Sequence, residues 1–219
     1  MVRDIIRNLR KDFRVEFRSR FALNVSIAFA VITTTALSLA AGGVPFSPRV
    51  QSMLLWLIIF FSAMNGLSHI FVREEDQGTS LFLRITASAD SIFASKLIYN
   101  LAFMAIVLCV VTPLFMFFMQ VTVRDAVYFA GSVAGGGLSI AASTTIMAAM
   151  VAKAGGKGSL FTIISFPVLL PVLWLSILST ASSIESAGHA DYGTLIFLLA
   201  FSGFITAISF LLFRYVWQD

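Results

Sequence analysis

The sequence predicts an all-α, polytopic membrane protein: six transmembrane helices preceded by an amphipathic N-terminal interfacial helix. Three observations carry this. The 219 residues are 58% hydrophobic and only 12% charged, about half the charge density of a soluble domain. Mean hydropathy is +0.93, and no small globule can hide that much apolar surface. Finally, six apolar stretches of spanning length are separated by short turn or charge signals.

The elements follow in order. In residues 1–20, Ile5, Leu9, Phe13, Phe17 and Phe21 recur every four residues, while Arg7, Arg10, Arg14 and Arg18 fill another face. That pattern predicts a helix lying on the inner leaflet, its apolar stripe in lipid and its cations near anionic head groups. Phe21–Ala41 is about 31 Å long as a helix, enough to cross a bilayer. A basic start, an apolar stretch and Ser38-Leu39-Ala40 also resemble a cleaved leader. The basic region, however, runs twenty residues and contains Asp4, Asp12 and Glu16, so the segment reads as a retained first span. The remaining spans are Val50–Phe71, Leu97–Met119, Val127–Ala152, Ser159–Ala181 and Gly193–Arg214.

Orientation follows from charge. With the N-terminus inside, all Lys and Arg except Arg49 and Arg124 fall on the cytoplasmic side, as the positive-inside bias requires. Both termini are then cytoplasmic. The net charge of +4 and pI near 9.6 therefore describe membrane anchoring and not a nucleic-acid binder. Cys109, the sole cysteine, lies inside an apolar run and offers no disulfide, CxxC or CxxCH motif.

The segment 72–95 is the most informative soluble stretch. It opens Val72-Arg73-Glu74-Glu75-Asp76-Gln77-Gly78-Thr79-Ser80-Leu81, and three consecutive acids cannot stay in hydrocarbon. Gly78 supplies a turn, and Thr79 or Ser80 can cap a short helix over Leu81–Ile85. Such a projection suits docking of a soluble partner. By contrast, Ala154-Gly155-Gly156-Lys157-Gly158-Ser159 fails the phosphate-loop pattern, because Val151 stands where the first Gly belongs and Gly158 follows Lys157. No nucleotide site is expected in this chain, nor any catalytic or metal-binding residue.

Within the fourth span, Gly131 and Gly135 form a GxxxG extended by Gly136, Gly137 and Ser139. Small residues let helix backbones approach in lipid, within a chain or between subunits. Pro167 and Pro171 in the fifth span remove the helical partners of the Ile163 and Pro167 carbonyls and predict a kink, with a hinge as its functional reading. His69 and His189 fall at opposite membrane faces, so they cannot share a metal ion; either is a candidate single haem contact. No intramembrane chain of acids marks an ion relay.

The order and spacing of several segments resemble the permeases of the ABC-2 type, and more closely the haem exporter protein B (CcmB) family of cytochrome c maturation. The carrying segments are Arg73-Glu74-Glu75-Asp76-Gln77-Gly78-Thr79-Ser80-Leu81, then Ser91-Ile92-Phe93-Ala94-Ser95-Lys96-Leu97-Ile98-Tyr99-Asn100. A third is Gly156-Lys157-Gly158-Ser159-Leu160 running into Ile163-Ile164-Ser165-Phe166-Pro167-Val168-Leu169-Leu170-Pro171. The chain departs from many members in having Thr86-Ala87-Ser88-Ala89 where they carry a Pro, and it lacks the Trp-rich haem-binding segment of the partner haem handler.

The resemblance implies a multi-pass subunit of the bacterial inner membrane, organised as an interfacial helix 1–20 and a transmembrane domain 21–219 with the coupling loop 72–95. Arg73, Glu74, Glu75, Asp76, Gly78, Thr79 and Leu81 would receive the movement of a separate CcmA-like ATPase. No cofactor would be bound directly: ATP sits on the partner, and haem is handled by the complex, with a CcmC-like haem handler and a CcmE-like chaperone. Two copies per complex are expected. An ABC-2 exporter of a polysaccharide, lipid or drug, and a scaffold that transports nothing, remain as alternatives.

Overall fold

A computed structural model describes residues 2–218, except 68–69, 72–73, 75–77, 80–82, 84, 86, 154–157 and 186–190. Among the described residues there are seven long helices and no strand. They are α1 (Val2–Ser19), α2 (Phe21–Ala41), α3 (Pro48–Leu67), α4 (Ala89–Phe118), α5 (Ala126–Lys153), α6 (Gly158–Glu185) and α7 (Tyr192–Gln218). The helices α2 to α7 all contain a stretch long and apolar enough to cross a membrane. The chain is a polytopic all-α membrane protein.

Local chemistry sets the breaks. Arg20 adopts a left-handed φ of 51° between α1 and α2, which ends the first helix and turns the chain into the second. Amides in the first turn of α2 find an acceptor in the preceding helix: Ala22 and Leu23 N–H donate to Glu16 Oε1 at 3.1 and 3.3 Å. An acid at a helix N-terminus also suits the helix dipole. Helix α2 stops at Gly42, whose φ of +58° suits glycine and whose N–H donates to the Leu39 carbonyl. Between α4 and α5 only residues 119–125 intervene. There Gln120 takes a φ of 51°, and the Arg124 and Asp125 amides both donate to the Ser183 carbonyl at 3.1 Å.

The bundle is built around α5. Of its apolar stretch 78% is buried within the chain, against 11% for α7, although both helices are apolar throughout. Side-chain size decides between them. Gly136 lies so close to Trp56 of α3 and Ser176 of α6 that a Cβ there would come within 2.3 Å and 2.4 Å of those side chains. Gly137 is similarly closed by Leu108 of α4 at 2.5 Å. Three helices therefore reach the α5 backbone here, as small residues permit in lipid. Hydrogen bonds tie the same seams: Trp56 Nε1 donates to Thr180 Oγ1 at 3.0 Å, Asn100 Nδ2 to Thr145 Oγ1 at 2.9 Å, and Ser139 Oγ to the Leu198 carbonyl at 2.8 Å.

Candidate coupling site

The site begins with one residue in α4. This helix starts at Ala89, with Ser88 as its cap accepting from the Ser91 amide. The last seven residues of the 72–95 segment are therefore its first turns, and Lys96 is a helical residue, not the edge of a loop. Its side chain is 1% exposed, which for an ammonium demands complete pairing.

Three acceptors supply it. Lys96 Nζ donates to Glu74 Oε1 at 2.7 Å, to Asp12 Oδ1 at 3.1 Å and to the Ile70 carbonyl at 3.4 Å. Glu74 also accepts from Lys11 Nζ at 2.5 Å, and Lys11 lies 3.6 Å from Asp12. Two cations and two carboxylates thus form a neutral cluster. It fastens α1 and the segment following α3 onto α4. Removing one member of such a cluster leaves a buried charge unpaired, at a cost of about 3–5 kcal/mol. Burial opposes ionisation of Glu74, but the Lys96 charge and hydrogen bonds from Lys11 and Lys96 outweigh it and hold the carboxyl below the usual glutamate range.

An aromatic layer adjoins the charges. Phe71 packs against Phe213 and Trp217, with ring centres 5.8 and 6.3 Å apart, and Phe93 lies 5.1 Å from Phe213. Lys96 Nζ stands 5.8 Å from the Phe71 ring centre and Lys153 Nζ 5.4 Å from that of Trp217. At the surface, Arg214 grips Asp90 with two bonds of 2.9 and 2.6 Å. The ends of α3, α4, α5 and α7 therefore converge on the same end of the bundle as α1.

Of the predicted coupling residues, Glu74 is buried in this cluster. Thr79 hydroxyl reaches back to the Glu74 carbonyl and carboxylate, both at 3.3 Å. Gly78 has a φ of +64°, which favours glycine. The Leu83 amide donates to the Thr79 carbonyl and that of Ala87 to the Leu83 carbonyl, both at 3.1 Å, a helical spacing. Arg73, Glu75, Asp76 and Leu81 lie outside the described residues, as do His69 and His189. Gly131 and Gly135 face Leu195 and Leu198 of α7, so the GxxxG contact is made within the chain. Pro167 and Pro171 sit on an exposed face of a continuous α6.

One expectation is corrected. The apolar stripe of α1 does not lie wholly in lipid. Leu9 and Phe13 pack on the core, with Phe13 5.3 Å from the Tyr99 ring, and beside them Asn8, Asp12 and Glu16 form the buried face. Asp12, Glu16 and Lys96 were not singled out from sequence as site residues. The spacing of Asn8, Asp12 and Glu16, one helical turn apart, was the signal that a polar stripe needed partners inside the protein. Among the described residues no three His, Cys, Asp or Glu side chains converge as a metal site.

Fold and site together define a polytopic all-α membrane protein with a buried charge cluster at one end of its bundle. The family described as CcmB protein has a sequence profile that matches residues 3–214, and the chain belongs to this family. Membership makes it a membrane component of a haem-exporter ABC system. No curated protein sequence matches the chain significantly.

Proposed function

We propose that the chain is the permease subunit of an inner-membrane ABC complex for c-type cytochrome biogenesis, with both termini and the 72–95 segment in the cytoplasm. Family membership and the concentration of basic residues at one end of the bundle support this reading. A CcmA-like ATPase would dock on the segment around Glu75, Asp76 and Gly78. A CcmC-like haem handler and a CcmE-like chaperone would complete the assembly, with two copies of this chain and haem as the cargo handled by the complex.

The observation that carries the mechanism is the triple engagement of Lys96. Movement imposed on the segment at Glu74 passes directly to α4 through Lys96, and to α1 through Lys11 and Asp12. Glu16 then carries it to the first turn of α2. One push from the ATPase would displace three elements together, which is how a packed interface converts a local shift into a rigid-body motion.

A haem stain of covalently bound c-type cytochromes in a deletion strain of the native host tests the role. The bands should vanish without the gene and return with it; bands that persist would turn attention to the ABC-2 exporter reading and a search for cargo. Reversing Glu75 and Asp76 to Lys, leaving Glu74 in place, then separates docking from folding. That variant should lose cytochrome maturation while keeping a folded, membrane-inserted chain; full activity would favour the scaffold reading.

A further inference from the structure

We propose that the part of α6 beyond Pro171 is a gate, latched by Trp56, over a polar cleft that admits water from the end of the bundle opposite α1. Hydroxyls line the seam between α5 and α6 in that half. Ser132 of α5 bonds Ser179 of α6, Ser176 lies against Gly136, and Thr180 and Ser183 continue the row toward Glu185. On the third side stands α3, with Ser52 one turn from Trp56. All of these side chains are buried.

Close packing in lipid asks only for small residues, and alanine would supply that without a polar group. Several hydroxyls of α5 return to a carbonyl of their own helix, as Ser132 does to Tyr128, Thr144 to Ile140 and Thr145 to Ala141. Those of Ser52 and Ser176 find no partner among the described residues. A stranded hydroxyl favours any state that brings it water. Unpaired hydroxyls also occur elsewhere in the bundle, Thr34 and Ser143 among them, but this pair adjoins a side chain that can uncover it.

That side chain is Trp56. Its ring fills the space over Gly136, where a Cβ would overlap both the ring and Ser176 Oγ. Its indole N–H crosses from α3 to Thr180 Oγ1 of α6 at 3.0 Å. Helix α6 is free to swing at this point for two reasons. Pro171 lacks the amide that would tie it to the preceding turn, and the far face of the helix is unpacked within the chain, with Trp174 64% exposed. The closed state keeps one indole bond and the packing of one ring, whereas the open state hydrates a row of hydroxyls. Two states so opposed shift with small changes on either side. The opening belongs to this chain alone, whatever the complex carries.

The test uses the full chain in nanodiscs, with Cys109→Ala to remove the exposed native thiol. Ser176→Cys places a thiol about 14 Å below the Glu185 end of α6. Ala148→Cys is the control, equally buried although it lies closer to an end of its helix. A charged methanethiosulfonate reagent does not enter hydrocarbon and reaches either site only through water. Ser176→Cys should react measurably and Ala148→Cys should not. Thr180→Val, which keeps the side-chain volume and removes the acceptor, should speed the reaction at Ser176→Cys several-fold. Trp56→Phe should do the same by removing the donor, and Pro171→Ala, which restores the amide, should slow it. A Ser176→Cys thiol as inert as the control in all of these backgrounds would overturn the proposal, leaving the seam as close packing alone. So would an equal rise at both thiols, which would mark general loosening of the bundle and not a gate.

Discussion

The two ends of the bundle are held by different kinds of interaction. At the α1 end, four charges from three separate stretches of sequence are locked together, with Asp12, Glu74 and Lys96 all buried, and an aromatic layer lies alongside. At the opposite end the ties are single hydrogen bonds, most of them to or from the backbone. Asp125 Oδ1 accepts from the Tyr128 amide at 2.9 Å. Asp191 accepts from the Gly193 amide at 3.0 Å and from the Thr194 hydroxyl at 2.8 Å. Tyr128 hydroxyl donates to the Asp191 carbonyl at 3.0 Å. Cutting a local cap frays one turn. Cutting the charge cluster strands a buried ion and loosens three elements at once. The first end is built to move as a unit, the second to close short connections.

Substitutions can break this comparison in order of effect. Lys96→Ala should be the most damaging, at about 3–5 kcal/mol, because two buried carboxylates lose their shared cation; denaturant or thermal unfolding in detergent would register it, and cytochrome maturation should fall with it. Gly136→Ala comes next, at about 1–3 kcal/mol, since the new methyl group overlaps Trp56 and Ser176. Gly203→Ala, where nothing lies within 4 Å, should by comparison be close to neutral by the same measurement. At the far end, Asp191→Ala removes a cap and should cost about 1 kcal/mol, visible as faster amide exchange confined to the start of α7. The smallest effect concerns pH. Because the folded state holds the Glu74 carboxyl below its ordinary value, its contribution is present above about pH 4.5 and is lost as pH falls through the folded value. The thermal unfolding midpoint in detergent should therefore fall on acidification below about pH 4.5 in the wild type and should be less pH-dependent in Glu74→Gln.

Much of this architecture was legible in the sequence because lipid imposes strong rules. The span Phe21–Ala41 coincides with α2, and the other five spans fall within a few residues of their helices except at the start of α4. That exception is instructive. Asp90, Ser91, Ser95 and Lys96 read as a polar loop, yet they are helical because Asp90 meets Arg214 from the other end of the chain and Lys96 meets Asp12 and Glu74. Periodicity detects a face but not its partner. The same limit explains α1, where hydrophobic spacing pointed the helix at lipid and the acids that hold it to the protein are matched 84 residues away. The Gly-rich face of α5 was legible as a contact surface, whereas its partners Leu195, Leu198, Trp56 and Leu108 come from three different stretches of sequence and required the fold.

The most direct test of the account is hydrogen–deuterium exchange across α1 in Lys96→Met compared with the unsubstituted protein. If Lys96 is the pin that holds α1 and the 72–95 segment to α4, amides of Asn8–Ser19 should exchange roughly a hundredfold faster in the variant, in line with the loss of a buried ion partner, while α5 stays protected. Unchanged exchange in α1 would contradict the account, because the helix would then be held by its apolar contacts alone and could not relay movement through the charge cluster.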